Sequence, residues 1–159
     1  TLPKDCKIIG VFLTHSHFDH IAGLNDLLGD YPDCMVYTSE YGAASLYSAK
    51  KNMSHYHEKT FVFSGNNVTI LKDNDKVKLF TNEYLNVIAT PGHCPSCLTF
   101  YTDNIVFTGD AYIPGVPIVT KLPKGNKADA ALSLEKILSL SKDRQIYPGH
   151  DIERWKSIL

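Results

Sequence analysis

The chain has 159 residues, of which 43% are hydrophobic and 21% charged, proportions that exclude wholesale disorder. No apolar run nears the ~20 residues needed to span a bilayer, which excludes a transmembrane helix. With 16 basic against 17 acidic side chains there is no bulk positive field to argue for nucleic acid.

Residues 7–14, KIIGVFLT, are apolar and β-branched and stop at a polar run, which predicts a strand buried on both faces. IAGLNDLL (21–28) predicts a short helix, MVY (35–37) a short strand, and 39–52 a helix with Ser39 at its N-cap. FVFSGNNVTIL (61–71), KVKLF (76–80) and YLNVIAT (84–90) predict strands. Turns at Asn66-Asn67, Asp73-Asn74-Asp75 and Thr81-Asn82-Glu83 mark their ends. LTFY (98–101) and NIVFT (104–108) flank Thr102-Asp103 as a hairpin. Residues 128–139 predict the clearest helix, with Asn126 as cap and Leu134, Ile137, Leu138 and Ser141 on one stripe. RQIYP (144–148) predicts a strand and 151–159 a last helix. Strands first, with helices between and after, predict a single α/β domain over residues 1–159.

The cysteines at 6, 34, 94 and 97 are too few for a disulfide scaffold at this length and point to a reducing, cytoplasmic setting. Cys94-Pro95-Ser96-Cys97 is read as packing, because no thioredoxin-like βαβ pattern surrounds it; a redox pair and metal ligation stay open. His55 and His57 are read as a solvated loop or helix end, with a substrate-side wall as the alternative. Lys121, Lys124 and Lys127 are read as a solvated loop, with anion recognition as the alternative.

Histidines and aspartates carry the chemistry. Thr14-His15-Ser16-His17-Phe18-Asp19-His20 ends the first strand, where alternation points His15 and His17 to one face. Asp19 and His20 follow where the chain turns away. His93 and His150 each follow a strand and a Pro-Gly pair, and Asp110 follows a strand and Gly109. Glycine lets the backbone bend sharply at a strand end and directs the next side chain into a shared site. These seven potential ligands exceed what one tetrahedral Zn²⁺ can use. They suit two divalent ions sharing a carboxylate and a water, with Zn²⁺ first and Fe or Mn as alternatives.

The motifs HSHFDH, PGH, TGD and PGH, in this order, resemble the metallo-β-lactamase superfamily over the whole chain. The resemblance implies an αββα sandwich with a dinuclear site at one edge of the paired sheets. Residue by residue it implies one metal on His15, His17 and His93, and the other on Asp19, His20 and His150. Asp110 then bridges both, and Asp19 also orients the metal-bound hydroxide. Members of the family carry further strands ahead of the first motif, so residues 1–159 are expected to be an N-terminally truncated part of that domain, without those strands. The strand at 7–14 is therefore expected to lie at a bare sheet edge that favours association between copies.

Asp110 argues against the antibiotic-degrading members, which often place Cys or Ser there. His17 argues against flavodiiron oxidoreductases, which carry Glu. Only 39 residues separate Asp110 from His150, too few for the inserted domain of internally cutting nucleases. The sequence resembles the glyoxalase II-like group most closely, through TPGH, LTFY and VFTGD. It departs from that group after Asp110, where Tyr112-Ile113-Pro114-Gly115-Val116-Pro117 replaces a Gly-Arg-Thr-Asp stretch. The reaction implied is metal-dependent hydrolysis of a small ester, thioester, lactone or phosphodiester. The alternative, from the run Pro91-Gly92-His93-Cys94-Pro95-Ser96-Cys97, is a mononuclear-iron persulfide dioxygenase-like oxidoreductase.

Overall fold

A computed structural model describes residues 6–151. Its strands form two sheets. The smaller is wholly parallel and has the order β1 (Gly10–Phe12), β2 (Met35–Thr38), β3 (Val68–Ile70). The larger has the order β4 (Lys76–Phe80), β5 (Glu83–Ala89), β6 (Leu98–Tyr101), β7 (Ile105–Gly109), β8 (Gln145–Pro148). It is antiparallel up to β7, and β8 then pairs parallel with β7.

Three apolar clusters fill the spaces between four layers. Alternation in β1 sends Val11 and Leu13 to one face and Phe12 to the other. Val11 and Leu13 join Ile21, Leu24, Val36 and Leu46 beneath the helices α1 (Phe18–Ile21), α2 (Leu24–Asp30) and α3 (Glu40–Leu46). Phe12 stacks on Tyr37, with ring centres 4.5 Å apart, and meets Phe100 edge-on, which joins the two sheets. On the outer face of the larger sheet, Cys94, Cys97 and Ala111 pack with Ile137 of α4 (Lys127–Leu140). The result is the αββα sandwich implied by the sequence.

The elements differ from expectation in instructive ways. β1 is shorter than 7–14 and its three residues are half-buried, while Ile9 is 76% exposed. β1 lies at an edge of its sheet among the described residues. The helix expected at 21–28 is split at Gly23 into α1 and α2. Ser39 caps α3 as expected by accepting from the Gly42 N–H, but the helix stops at Leu46 rather than residue 52. The side-chain amide of buried Asn52 donates to the Ser45 carbonyl at 3.2 Å and fixes the chain in a different path.

Only Val68–Ile70 of the 61–71 segment is strand. Phe61 and Phe63 do alternate into the core, but the Phe63 N–H donates to the Leu46 carbonyl at the end of α3 and not to a neighbouring strand. The apolar stripe of α4 is rotated from Leu134, Ile137, Leu138 and Ser141 to Ala130, Ser133 and Ile137, and Leu138 is 45% exposed. Small residues let α4 lie directly on the His93 loop, where Ser133 Oγ donates to the Pro91 carbonyl at 2.6 Å. Of the helix expected over 151–159, residues 152–159 lie outside the described residues.

Candidate metal centre

β5, β7 and β8 run in the same direction, so their C-terminal ends share one rim of the larger sheet. The end of β1 is tied to that rim by the Leu98 N–H, which donates to the Thr14 carbonyl at 2.7 Å. The four motifs therefore converge although they lie as much as 135 residues apart, from His15 to His150. The glycines do not all act alike. Gly92 (φ 137°) and Gly109 (φ 52°) occupy backbone regions that side chains disfavour. Gly149 instead permits close approach: a Cβ there would run into Asp110 Oδ1 and stand 3.0 Å from His20 Cε1.

All seven predicted residues come together. His15, His17 and His93 form one group with ligand atoms within 4.8 Å of one another, Asp19, His20 and His150 a second, and His15, His20 and Asp110 a third between them. His17 Nδ1 lies 3.0 Å from His93 Nε2, and His20 Nε2 lies 3.2 Å from His150 Nε2. Asp110 reaches both sides. Its Oδ2 is 3.7 Å from His93 Nε2 and 3.3 Å from His150 Nε2, and its Oδ1 is 3.6 Å from His20 Nε2. Asp19 Oδ2 stands 3.5 Å from His20 Nε2 and 3.4 Å from His150 Nε2.

These spacings fit a metal site. Two nitrogens each about 2.0–2.1 Å from a tetrahedral Zn²⁺ lie roughly 3.3 Å apart. A single His20 N–H serves one acceptor well, yet three groups crowd its Nε2. His15 Nε2 and Asp110 Oδ1 are buried with no hydrogen-bond partner, an expensive state that a cation between them relieves.

Charge is organised accordingly. Burial pushes His15 well below the ordinary 6.5, helped by the neighbouring His20, so its ring is neutral and ready to ligate. Burial also acts to lower His20, but the adjacent Asp110 carboxylate, with Asp19 adding, outweighs it and raises that group. Burial alone would raise Asp110, yet the nearby His20 ring and the charges of His15, His20 and His150 hold it far below the usual carboxylate range.

Outer contacts fix the ligand orientations. His93 Nδ1 lies 2.8 Å from the Val119 carbonyl, which only accepts, so Nδ1 carries the proton and Nε2 is free to face His17. Ser16, between His15 and His17, is anchored by its N–H and hydroxyl to Ser96 Oγ at 3.1 and 3.0 Å. Cys94 and Cys97 are each 3% exposed, with sulfurs 3.4 Å apart, and pack beneath α4.

A cavity of about 260 Å³ opens onto the centre and is lined by Ile113, Val116, Val119 and Leu122 together with Phe18 and Met53. His57 lies at its margin with its ring 4.8 Å from that of Phe18, so the substrate-side alternative for this histidine has a structural basis. His55 is exposed in a single 3₁₀ turn, Ser54–Tyr56. Lys121, Lys124 and Lys127 are exposed and do not line the cavity, which matches the solvated-loop reading. Sequence reasoning missed the Val119 carbonyl and Met53. A backbone acceptor leaves no signature in residue type, and a lone methionine in a polar stretch carries none.

A family model for the metallo-beta-lactamase superfamily matches residues 4–150. Glyoxylase B2 of Dictyostelium discoideum is 33% identical over 141 residues, covering 87% of this chain and 48% of that protein. A hydroxyacylglutathione hydrolase of Buchnera aphidicola is 28% identical over 148 residues, covering 93% of this chain and 50% of the relative. The chain thus spans about half the length of these curated relatives. Among solved structures, the di-iron-bound form of TTHA1623 superposes with a TM-score of 0.73 at 25% identity, covering 90% of this chain and 70% of the other. ETHE1 from Myxococcus xanthus gives 0.70 at 27%, covering 94% and 56%. Four motifs on one rim of an αββα sandwich and a family match over nearly the whole length carry the same conclusion: the chain belongs to the metallo-β-lactamase superfamily.

Proposed function

We propose that the protein is a metal-dependent hydrolase of the glyoxalase II-like type, cytoplasmic, cleaving a small ester, thioester, lactone or phosphodiester. The observation that carries this reading is the Asp110 carboxylate, set between two histidine groups with Oδ2 3.7 Å from His93 and 3.3 Å from His150. In this reading His15, His17 and His93 hold one ion, Asp19, His20 and His150 hold the other, and Asp110 binds both. Zn²⁺ is the first candidate, with Fe or Mn as alternatives. Two bound cations supply a nucleophile at neutral pH by lowering the pKa of a shared water from roughly 15.7 to 7.

The chain's own groups do the rest. The Asp19 carboxylate, 55% exposed, faces the cavity and accepts a hydrogen bond from the attacking oxygen, aligning it toward the substrate. The Val119 carbonyl keeps the His93 proton on Nδ1. The cavity walls hold the scissile group over the cluster and exclude bulk water.

The second reading is the mononuclear-iron oxidoreductase. It is favoured by the Pro91–Cys97 run and by the 27% identity to ETHE1 from Myxococcus xanthus. Metal content per chain with a hydrolase panel separates the two. Two divalent ions with esterase or thioesterase turnover are expected, and His20→Ala is expected to lose mainly one of them. One iron per chain with oxygen uptake and no hydrolysis overturns the hydrolase.

A further inference from the structure

We propose that the cavity beside the metal cluster takes a short, uncharged, apolar acyl group, and that Met53 is the residue that sets its length. This deepens the hydrolase reading and rests on it for the identity of the reacting carbonyl.

The chemistry of the walls comes first. The loop after β7 supplies Ile113, Val116, Val119 and Leu122, and Phe18 and Met53 complete the apolar lining. No lysine or arginine lines the cavity among the described residues; its charged groups are the aspartates and histidines of the metal cluster. A substrate tail bearing a carboxylate would therefore lose its hydration without gaining a cationic partner, whereas methylenes would gain contact on both sides. Polar groups at one end and apolar walls beyond them orient the ligand: the carbonyl lies at the cluster and the chain extends between Met53 and the 113–122 loop. At about 260 Å³ the space lies below the common range of ligand pockets, ~300–1,000 Å³, and so fits a short chain.

Met53 has a second, independent peculiarity. It sits in the left-handed region at φ 68°, ψ 1°, which is uncommon outside Gly and Asn. Its two neighbours hold it there. Asn52 and Ser54 are fully buried. The Asn52 amide donates to the Ser45 and Phe61 carbonyls at 3.2 and 3.0 Å, and its Oδ1 accepts from the Ser54 N–H at 2.9 Å. Ser54 Oγ accepts from the Phe61 N–H at 2.8 Å. This polar knot clamps both sides of Met53 and leaves its side chain in the cavity wall. Strained backbone held by surrounding structure is common where a side chain contacts a ligand. An unbranched thioether there adapts to linear apolar groups.

The test uses binding and turnover in parallel. Binding of acetamide, butyramide, hexanamide and succinamide, the last an uncharged polar control, is measured by ligand-observed NMR on the metal-loaded protein. Turnover is measured on the matching thioesters of N-acetylcysteamine. Affinity is expected to rise about fourfold per buried methylene, and succinamide is expected to bind at least tenfold more weakly than butyramide. Met53→Gly and Met53→Asn both suit the left-handed backbone and so preserve the fold. Each is expected to flatten the chain-length dependence of binding, and Met53→Asn is expected to weaken hexanamide about tenfold while metal content is unchanged. Equal affinity across the series, preference for succinamide, or an unchanged profile in both variants overturns the proposal. If hexanamide binds as expected while no thioester is turned over, the pocket stands and the hydrolase reading falls.

Discussion

The two halves of the candidate metal centre are built from similar residues but walled differently. His15, His17 and His93 are 0, 8 and 3% exposed, whereas the side chains of Asp19, His20 and His150 are 55, 15 and 26% exposed. The first half is all imidazole, seated where β1 meets the larger sheet, with the Val119 carbonyl and the Ser16–Ser96 pair behind it. The second has a carboxylate and is the more exposed, although His17 and His93 of the first also line the cavity. A closed group with fixed tautomers suits a permanent ligand set, and an open one suits the side where water and substrate arrive. The asymmetry comes from chain order: the strand end buries the first two histidines, and Asp19 and His20 follow as the chain turns out into α1.

The largest effect is expected from the residue the two halves share. Asp110→Asn removes the negative charge and one anionic oxygen from between the histidines, at a position where Oδ1 has no other partner. Loss of an outer partner alone costs about 10–100-fold, so loss of this carboxylate is expected to cost at least 10²-fold in kcat/KM. The circular dichroism spectrum should be unchanged. Wild-type turnover in the variant would remove the bridge between the halves.

Acid should separate the halves next. A histidine must be unprotonated to bind a metal. His20 is raised above 6.5, so protons compete with the ion in the open half as soon as the pH falls through that raised value. His15 lies well below 6.5, so this ligand of the closed half stays free of protons to lower pH. Dialysis at stepped pH from 8 to 5, followed by metal analysis, is expected to show loss in two stages, the open half first. Simultaneous loss of both ions would show that the halves are one thermodynamic unit.

Much of this centre was legible in the sequence because its chemistry is local. His15 and His17 share a face by strand alternation, and Gly92 and Gly109 mark bends at strand ends through positive φ. Gly149 was identified for the right position but the wrong reason, since its role is closeness to Asp110 and not torsion. Segments 61–67 and 47–52 were misread because their partners are tertiary: Asn52 and Ser54 satisfy the Phe61 backbone, so an alternating apolar pattern becomes a loop pinned to a helix end. The rotation of the α4 stripe has the same origin, because contact with the Pro91 carbonyl favours Ala130 and Ser133 over Leu138.

The smallest effect should come from the thiols behind the closed half. Cys97 donates to Cys94 and, against burial, holds that thiol below the ordinary cysteine range, with His17 and Ser96 adding to the shift. A thiolate touching His17 could act as a further ligand, and this would make the closed half a mixed nitrogen and sulfur site. Packing argues otherwise. Both side chains sit with Ala111 and Ile137 beneath α4, and the His17, His93 and Asp110 atoms already face one another at 3.0 and 3.7 Å without sulfur between them. Serine nearly matches cysteine in volume, and at position 94 its hydroxyl inherits the contact with Ser96 Oγ, now 3.1 Å from the sulfur. The double variant Cys94→Ser, Cys97→Ser is therefore expected to lose about 1–3 kcal/mol of stability from the extra polarity, as for an imperfectly paired buried hydroxyl. It should retain its metal and keep kcat/KM within about threefold, since serine at position 94 keeps a hydrogen-bonding group beside His17 and Ser96. Turnover of the wild type should likewise be the same with and without reductant. Loss of one ion from the double variant at neutral pH, with the open half still occupied, would make the sulfurs ligands and reverse the assignment of the closed half as all-imidazole.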